Sequence, residues 1–154
     1  MYARHQAALA ELTQAVLANT GLPTLMRQAA TLAAHTLAVA YSAIWELRAN
    51  HDTLVLRADV GWPEAAVERT IAVATSHIGF SVFGTTSAIV VDWLSETRFH
   101  QLPALRDHGV ISSLAVVIPG PVHPFGSLSV DVTASRMFSD EEVRFVVCTV
   151  SDFC

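Results

Sequence analysis

Residues whose side chains could bind a small molecule are concentrated in one polar stretch, positions 92–113, between two apolar segments. A small-molecule site needs apolar walls and a few polar groups that fix the orientation of the ligand. The candidate polar groups are Arg98, His100, His108, Ser112 and Ser113, and the candidate walls are Trp93, Phe99 and Leu102. The stretch therefore predicts a ligand site.

The same residues also have a purely structural interpretation. Asp92 would cap the helix of the stretch, and Arg98 would form an ion pair with a neighbouring acid. Trp93 and Phe99 would then simply fill the core. The capping role is favoured for Asp92, and the ion pair is favoured over a ligand contact for Arg98.

Other kinds of chemistry lack the residues that they need. None of the seven histidines forms an i, i+4 pair or a cluster with cysteine, so no structural metal site is predicted. The sequence shows no Ser-His-Asp elbow, phosphate-cradling glycine loop or paired catalytic carboxylates. Cys148 and Cys154 are expected to be reduced thiols, since their spacing on a helix is too wide for a disulfide. We expect no catalytic activity in this chain.

The composition narrows the possible partners. Hydrophobic residues make up 52% of the 154 residues and charged residues 15%, as expected for a folded domain. All nine basic residues are arginines, the net charge is -5, and no basic stripe is present. This argues against nucleic acid and anionic membranes as partners. No apolar run is long enough to span a bilayer and no secretory signal is visible, so a cytoplasmic location is expected.

The positions of apolar residues predict the elements that hold the polar stretch. Helical stripes cover 3–19 and the segment that begins at Pro23, and hairpins are predicted at 41–61 and 111–132. Positions 75–87 are rich in Gly, Ser and Thr and are predicted to be a loop. Ser139 and Glu142 form a capping box that opens a last helix.

This order of elements predicts an α+β fold. We expect one central antiparallel sheet of five or six strands, with the terminal helices on one face. Residues 92–110 would form a short helical flap over the other face. The whole chain, 1–154, is expected to be a single domain excised from a longer protein.

Four segments, "DWLSETRF", "LRDHGVISSLAVVIPG", "PFGSLSVD" and "RMFSDEEVRFVVCTV", resemble the GAF domains of sensor histidine kinases and related signalling proteins. The specific part of the match covers 92–143, about a third of the chain. In that family the insertion after the third strand caps the sheet and closes over a pocket. The resemblance adds Phe80, whose loop often lines one end of the pocket, to the candidate site.

The resemblance also implies which cofactors to consider. Some sensor members bind haem, so His77, His100 or His108 could be an axial ligand. Bilin-binding members attach the chromophore through a pocket cysteine, and a reductase branch also works through pocket cysteines. This chain has no cysteine before Cys148, so covalent bilin and thiol catalysis are not expected.

The function implied by the resemblance is regulatory. The domain would sense an unidentified small molecule in a two-component system and pass the signal through terminal helices at 1–20 and 139–154, which would pair two copies into a homodimer. Two alternatives are a ligand-free dimerisation or spacer domain and a haem-binding gas or redox sensor.

Overall fold

The computed structural model describes residues 21–63, 69–84 and 87–151; the helix predicted over 3–19 lies outside this part of the chain. Its centre is a six-stranded antiparallel sheet with strand order β3-β2-β1-β6-β5-β4. The strands are β1 (Tyr41–Leu47), β2 (Thr53–Val60), β3 (Thr70–Ala72), β4 (Ala88–Val90), β5 (Ser112–Ile118) and β6 (Gly126–Val132). The helices are α1 (Leu22–Leu37), α2 (His77–Phe83), α3 (Pro103–Asp107) and α4 (Asp140–Ser151). The predicted α+β fold is confirmed.

One face of the sheet, called the helical face below, is covered by α1 and α4. Four buried alanines of α1 let this helix approach the sheet closely: Ala29, Ala30, Ala33 and Ala34. They pack in one cluster with Leu114, Val116 and Leu128 of the central strands and with Val146 of α4. Helices α1 and α4 therefore share one face of the sheet, and of the two predicted terminal helices the one at 139–154 is found there as α4.

The capping box predicted for the last helix is present. The Ser139 hydroxyl accepts a hydrogen bond from the Glu142 amide at 3.1 Å, and the Ser139 amide donates to the Glu142 carboxylate at 2.9 Å. Arg136 forms an ion pair with the same carboxylate and donates to the Leu37 carbonyl at 2.8 Å. This arginine thus ties the end of α1 to the start of α4.

The other face, called the flap face, lies under α2 and the flap, residues 92–110. Its apolar cluster combines Trp45 and Leu54 of the sheet with Ile78 of α2 and with Trp93 and Leu105 of the flap. The flap is joined to the sheet at both ends, because the Trp93 amide donates to the Ile111 carbonyl and the Ile111 amide donates to the Val132 carbonyl. The predicted position of the flap is confirmed.

The loop predicted over 75–87 was wrong in part, because α2 forms within it. Ser76 caps the helix by accepting a hydrogen bond from the Gly79 amide at 2.9 Å. Gly79 lies so close to β3 that a Cβ atom there would be 2.0 Å from the Val73 carbonyl oxygen. Gly79 therefore permits close packing of the helix. Within the described residues, no helix combines the length and apolar character needed to cross a membrane.

Candidate ligand site on the flap face

A buried polar stripe runs along the flap face of the two central strands. Side chains alternate between the faces of a strand, so Leu114, Val116, Leu128 and Val130 point to the helical face. The alternate residues of the same two strands point to the flap face. Four of them are polar: Ser113, Ser127, Ser129 and Asp131. All four are nearly or fully buried. Because buried polar groups need hydrogen-bond partners, this stripe is the natural place to look for a site.

The flap is bonded to one end of this stripe. The indole Nε1 of Trp93 donates to the Ser113 hydroxyl at 2.8 Å, and that hydroxyl donates to Oδ1 of Asp131 at 2.7 Å. Burial raises the pKa of Asp131 to about 7, against an opposing effect of the Ser113 hydrogen bond. The relay from Trp93 through Ser113 therefore ends on a carboxyl whose burial favours the protonated form.

The middle and other end of the stripe are bonded to the sheet and to α2. Nε1 of Trp45 donates to the Ser129 hydroxyl at 3.3 Å. The hydroxyls of Ser81, on α2, and Ser127 lie 2.8 Å apart. These contacts satisfy the serines at least once, so they hold α2 and the core together and leave Asp131 as the ionisable member of the stripe.

His77 is a second buried titratable group on this face. It is fully buried, and neither ring nitrogen has a hydrogen-bond partner among the described residues. Its ring stands edge-on to Trp93, with centroids 5.1 Å apart, and lies 6.4 Å from the ring of Phe99. Desolvation lowers the pKa of His77 to about 3, and the charge of Glu96 opposes this only partly. The imidazole is neutral at pH 7 and offers one unused donor and one unused acceptor.

The structure brings three of the predicted site residues together with His77. Trp93 is buried, Ser113 is buried directly beneath it, and Phe99 is partly buried against the same cluster. Phe80 contacts Phe99 with ring centroids 5.3 Å apart but is 42% exposed. Phe80 therefore lies at the edge of this group rather than inside it.

Arg98 is engaged in the structural role that the sequence favoured. Its Nε donates to Oε1 of Glu96 at 2.8 Å, and one of its terminal nitrogens donates to the Ile89 carbonyl at 2.7 Å. Its side chain is 55% exposed. The capping role predicted for Asp92 was wrong, because the helix of the flap, α3, begins after Leu102 and has no side-chain cap. Asp92 instead accepts a hydrogen bond from the Leu94 amide at 2.9 Å and so fixes the first turn of the flap.

The two other predicted histidines are set apart from His77. His100 is exposed, and its amide donates to the Thr75 carbonyl. His108 follows α3, with Nδ1 3.0 Å from the Ala104 carbonyl oxygen. Its ring stands edge-on to Trp62 at 5.3 Å and to Tyr41 at 6.3 Å. Of the three haem-ligand candidates, His77 is the fully buried one.

Ser112 does not face the site. It shares the helical face with Leu114, and its hydroxyl lies within hydrogen-bond distance of the carbonyls of Val91 and Ala134. It also accepts a hydrogen bond from the Arg136 amide. The strand alternation that places Ser113 under the flap thus directs Ser112 to the opposite side, where it joins strand ends.

Asp131 was not predicted from the sequence, and His77 was not distinguished from the other histidines. A signal for Asp131 was present: "GSLSVDV" alternates small polar and apolar residues, which is typical of a strand with one polar face. Its alternation places Ser127, Ser129 and Asp131 on one face of the strand. No pattern in the sequence distinguishes His77.

Comparisons with known proteins agree with this architecture. The family model of the GAF domain matches residues 21–154. The fold is similar to that of the GAF domain from a phosphoenolpyruvate-protein phosphotransferase (ptsP) of Coxiella burnetii, with a TM-score of 0.84 and 19% identity over 96% of this chain and 89% of that chain. Among curated proteins, sequence comparison gives no match.

Two further similar structures hold small molecules, according to their descriptions. One is the free methionine-R-sulfoxide reductase of Neisseria meningitidis in complex with its substrate, with a TM-score of 0.82 and 14% identity over 96% of this chain and 84% of that chain. The other is the phycocyanobilin-bound GAF domain of a cyanobacterial phytochrome, with a TM-score of 0.76 and 15% identity over 96% of this chain and 90% of that chain. At these identities the similarity concerns the fold alone.

Proposed function

Because this chain belongs to the GAF domain family, we propose that it is a regulatory domain that binds a small molecule between the flap and the sheet. GAF domains are in general regulatory modules that bind small molecules. The proposed site is formed by His77, Trp93, Phe99, Ser113 and Asp131. The role is non-catalytic: Cys148, the cysteine within the described residues, is exposed on α4, on the opposite face of the sheet.

The observation that supports this proposal is the state of His77. An imidazole buried without partners loses its hydrogen bonds to water and gains none in return, which costs about 1–3 kcal/mol for each unsatisfied group. Native proteins leave few buried polar groups in this state, and those that persist are expected to serve a purpose. A ligand with one polar group near the ring would satisfy His77.

The sheet offers a physical route from this site to the terminal helices. β5 carries Ser113 on the flap face and Leu114 on the helical face, where Leu114 packs in the same cluster as Val146 of α4. A ligand that moves Trp93 would therefore shift a strand shared by both layers. Such a ligand can bias the helices only by the difference in its affinity for their two arrangements.

We propose that this output passes to a second copy of the domain through the terminal segments 1–20 and 139–154. Parallel helices can change packing between protomers and carry that change to a following domain. The parent would be a sensor histidine kinase or a related signalling protein, which the sequence resemblance supports. The same arrangement without a ligand is the second candidate, a dimerisation or spacer domain, and the hydrogen-bonded, buried Trp93 favours it.

A thermal-shift screen of metabolites separates the two candidates. We expect at least one compound to raise the unfolding midpoint of the wild type by several degrees, because a ligand at about 100 times its Kd adds about 2.7 kcal/mol to stability. His77→Leu should weaken that binding about 10-fold or more. His123→Leu, which changes an exposed histidine in the β5–β6 turn, is the matched control and should bind normally.

The spacer function predicts a different result. No compound would shift the wild type, and His77→Leu would stabilise the domain with no loss of any binding. Haemin belongs in the same screen: a sharp Soret band that disappears in His77→Leu would identify the ligand as haem, and its absence would remove the haem alternative.

A further inference from the structure

Asp131 is a buried carboxyl without a cationic partner among the described residues. It is 3% exposed, and Oδ1 accepts the hydrogen bond from Ser113. The Ser113 hydroxyl is the hydrogen-bond donor found for this carboxyl among the described residues. The chain has no lysine, and eight of its nine arginines are described. The ion pairs found there join Glu46 to Arg57, Glu96 to Arg98, Asp107 to Arg106 and Glu142 to Arg136.

The hydrogen bonds around Asp131 fix it as an acceptor. The Ser113 hydroxyl has one proton and directs it to Oδ1, since the hydroxyl already accepts from the Trp93 indole. This leaves Oδ2 to accept from something else. A carboxylate buried without a counter-charge is unfavourable, and it is stabilised either by taking up a proton or by pairing with a cation.

The aromatic side chains near Asp131 also favour a cation at this position. Tyr41 is its neighbour across the β1–β6 pairing, so both side chains point to the flap face. Tyr41 stacks on Trp62 with ring centroids 4.0 Å apart, and His108 stands edge-on to both rings. The faces of aromatic rings attract cations.

The titratable side chains near the site would not stabilise an anion. His77 is neutral, as its burial requires, and Arg98 is exposed and already paired with Glu96. An anionic ligand would meet the carboxyl of Asp131 with no cation to offset it. A cationic group would meet a carboxylate acceptor and aromatic rings.

From this geometry we infer that the ligand beneath the flap carries a cationic nitrogen, a protonated amine or an amidinium, that pairs with Oδ2 of Asp131. The inference rests on the proposed function, because it names the class of molecule that the same site takes. The neutral imidazole of His77 then binds a second, uncharged polar group of the ligand. In the empty domain, a proton on Asp131 takes the place of the cation.

The test uses matched probes on the whole chain. 2-Phenylethylamine, 2-phenylethanol and phenylacetate have similar shapes and carry a cationic, a neutral and an anionic head group. They are titrated by calorimetry next to every stabilising compound of the metabolite screen. We expect the amine to bind at least about 10-fold more tightly than the alcohol, the acid to bind worst, and the metabolite hits to be amines or amidines.

Asp131→Asn should remove this preference, weakening the amines about 10- to 100-fold while leaving the alcohol within about 3-fold. Asp52→Asn, in the exposed β1–β2 turn, is the matched control and should bind like the wild type. If Asp131→Asn does not fold, the three probes are compared on the wild type alone, where binding of the acid as tight as that of the amine would contradict the inference.

The outcomes separate this inference from the proposed function. Neutral or acidic compounds that bind the wild type in a His77-dependent way, with amines binding no more tightly than they do, would overturn the inference and leave the proposed function standing. Failure of every compound to bind the wild type would overturn both. Loss of amine binding in Asp131→Asn with the alcohol retained supports both.

Discussion

The two faces of the sheet are built from the same strands but differ in what they bury. On the helical face, β5 and β6 present Leu114, Val116, Leu128 and Val130 to alanines of α1. On the flap face, the alternate residues of these strands present hydroxyls and one carboxyl, and the indole rings and an imidazole pack above them. One face is an ordinary apolar core, whereas the other buries ionisable groups that the described residues do not fully satisfy.

This difference shows how the fold divides stability from binding. Apolar burial stabilises at about 25 cal/mol per Å² and has no directional requirement. The helical face is therefore destabilised by a loss of volume but needs no hydrogen-bond partner. Buried polar groups lose their hydration and recover it only when a partner is present. The flap face is therefore less stable when empty and gains most when a ligand binds.

The largest expected effect comes from removing volume on the helical face. Leu128→Ala should lower the free energy of unfolding by about 2–5 kcal/mol, because Leu128 is fully buried in the cluster between the sheet and α1. Leu94→Ala is the control, since Leu94 is 93% exposed on the flap and should change stability by less than about 0.5 kcal/mol. Chemical denaturation measures both. Equal effects would mean that the helical face is not the stabilising core.

The next effect concerns pH and belongs to the flap face. The folded-state pKa of Asp131 is raised from 3.8 to about 7, so its proton favours the folded state and stability falls as the pH rises from about 4 to 7. The pKa of His77 is lowered from 6.5 to about 3, so unfolding takes up a proton and stability falls as the pH drops from 6.5 to about 3. In the wild type the two slopes oppose each other between pH 4 and 6.5.

Single substitutions should expose each slope. Between pH 4.5 and 6.5, His77→Leu should lose about 2–3 kcal/mol of stability with rising pH, whereas Asp131→Asn should gain a similar amount. Urea denaturation at several pH values measures both, with His123→Leu as the control that keeps the wild-type profile. Profiles parallel to the wild type in both variants would show that neither group is buried as described.

A smaller effect is expected from weakening the charged contacts at the start of α4, on the helical face. Glu142→Gln should cost about 1–2 kcal/mol, because it weakens the reciprocal Ser139–Glu142 cap and the ion pair with Arg136. The ion pair of the flap is the comparison. Its Arg98 side chain is 55% exposed against 25% for Arg136, so Glu96→Gln should cost less than Glu142→Gln, about 1 kcal/mol. Thermal unfolding compares the two. A larger cost for Glu96→Gln would reverse the assignment of stability to the helical face.

The smallest effect is expected when one hydroxyl of the polar stripe is removed. Ser129→Ala should cost about 1 kcal/mol, since it leaves the indole nitrogen of the buried Trp45 without its acceptor. Ser95→Ala, on the exposed surface of the flap, should be close to neutral. Equilibrium denaturation, read by tryptophan fluorescence, reports both. A stabilising effect of Ser129→Ala would show that the hydroxyl is not a useful partner for Trp45.

The elements with strong local signals were predictable from the sequence. The helical stripe after Pro23, the two hairpins and the Ser139–Glu142 box each carry their own pattern, so α1, the four long strands and α4 were expected where they are found. The family resemblance placed the flap over the sheet, and the structure confirms it. Arg98 also forms the ion pair that the sequence favoured.

The features that depend on distant neighbours were not predictable. α2 was not predicted, because Ser76 and Gly79 are typical of loops. Ser76 caps the helix, and Gly79 lets it pack against Val73 at the end of β3. Ser112 and Ser113 were both placed in the site, although strand alternation lets only one of them face the flap, and which one does so depends on how β5 lies in the sheet. The burial of His77 is set by Trp93 and Phe99, which lie far along the chain.

The most direct test of the central claim, that the flap face holds a ligand satisfying His77 and Asp131, is native mass spectrometry. The wild-type protein is measured after gentle purification and after incubation with the small-molecule fraction of a cell extract. We predict an added mass that is lost in His77→Leu and in Asp131→Asn but kept in Leu94→Ala. An unliganded mass under both conditions, or an added mass that survives in both variants, would contradict the claim.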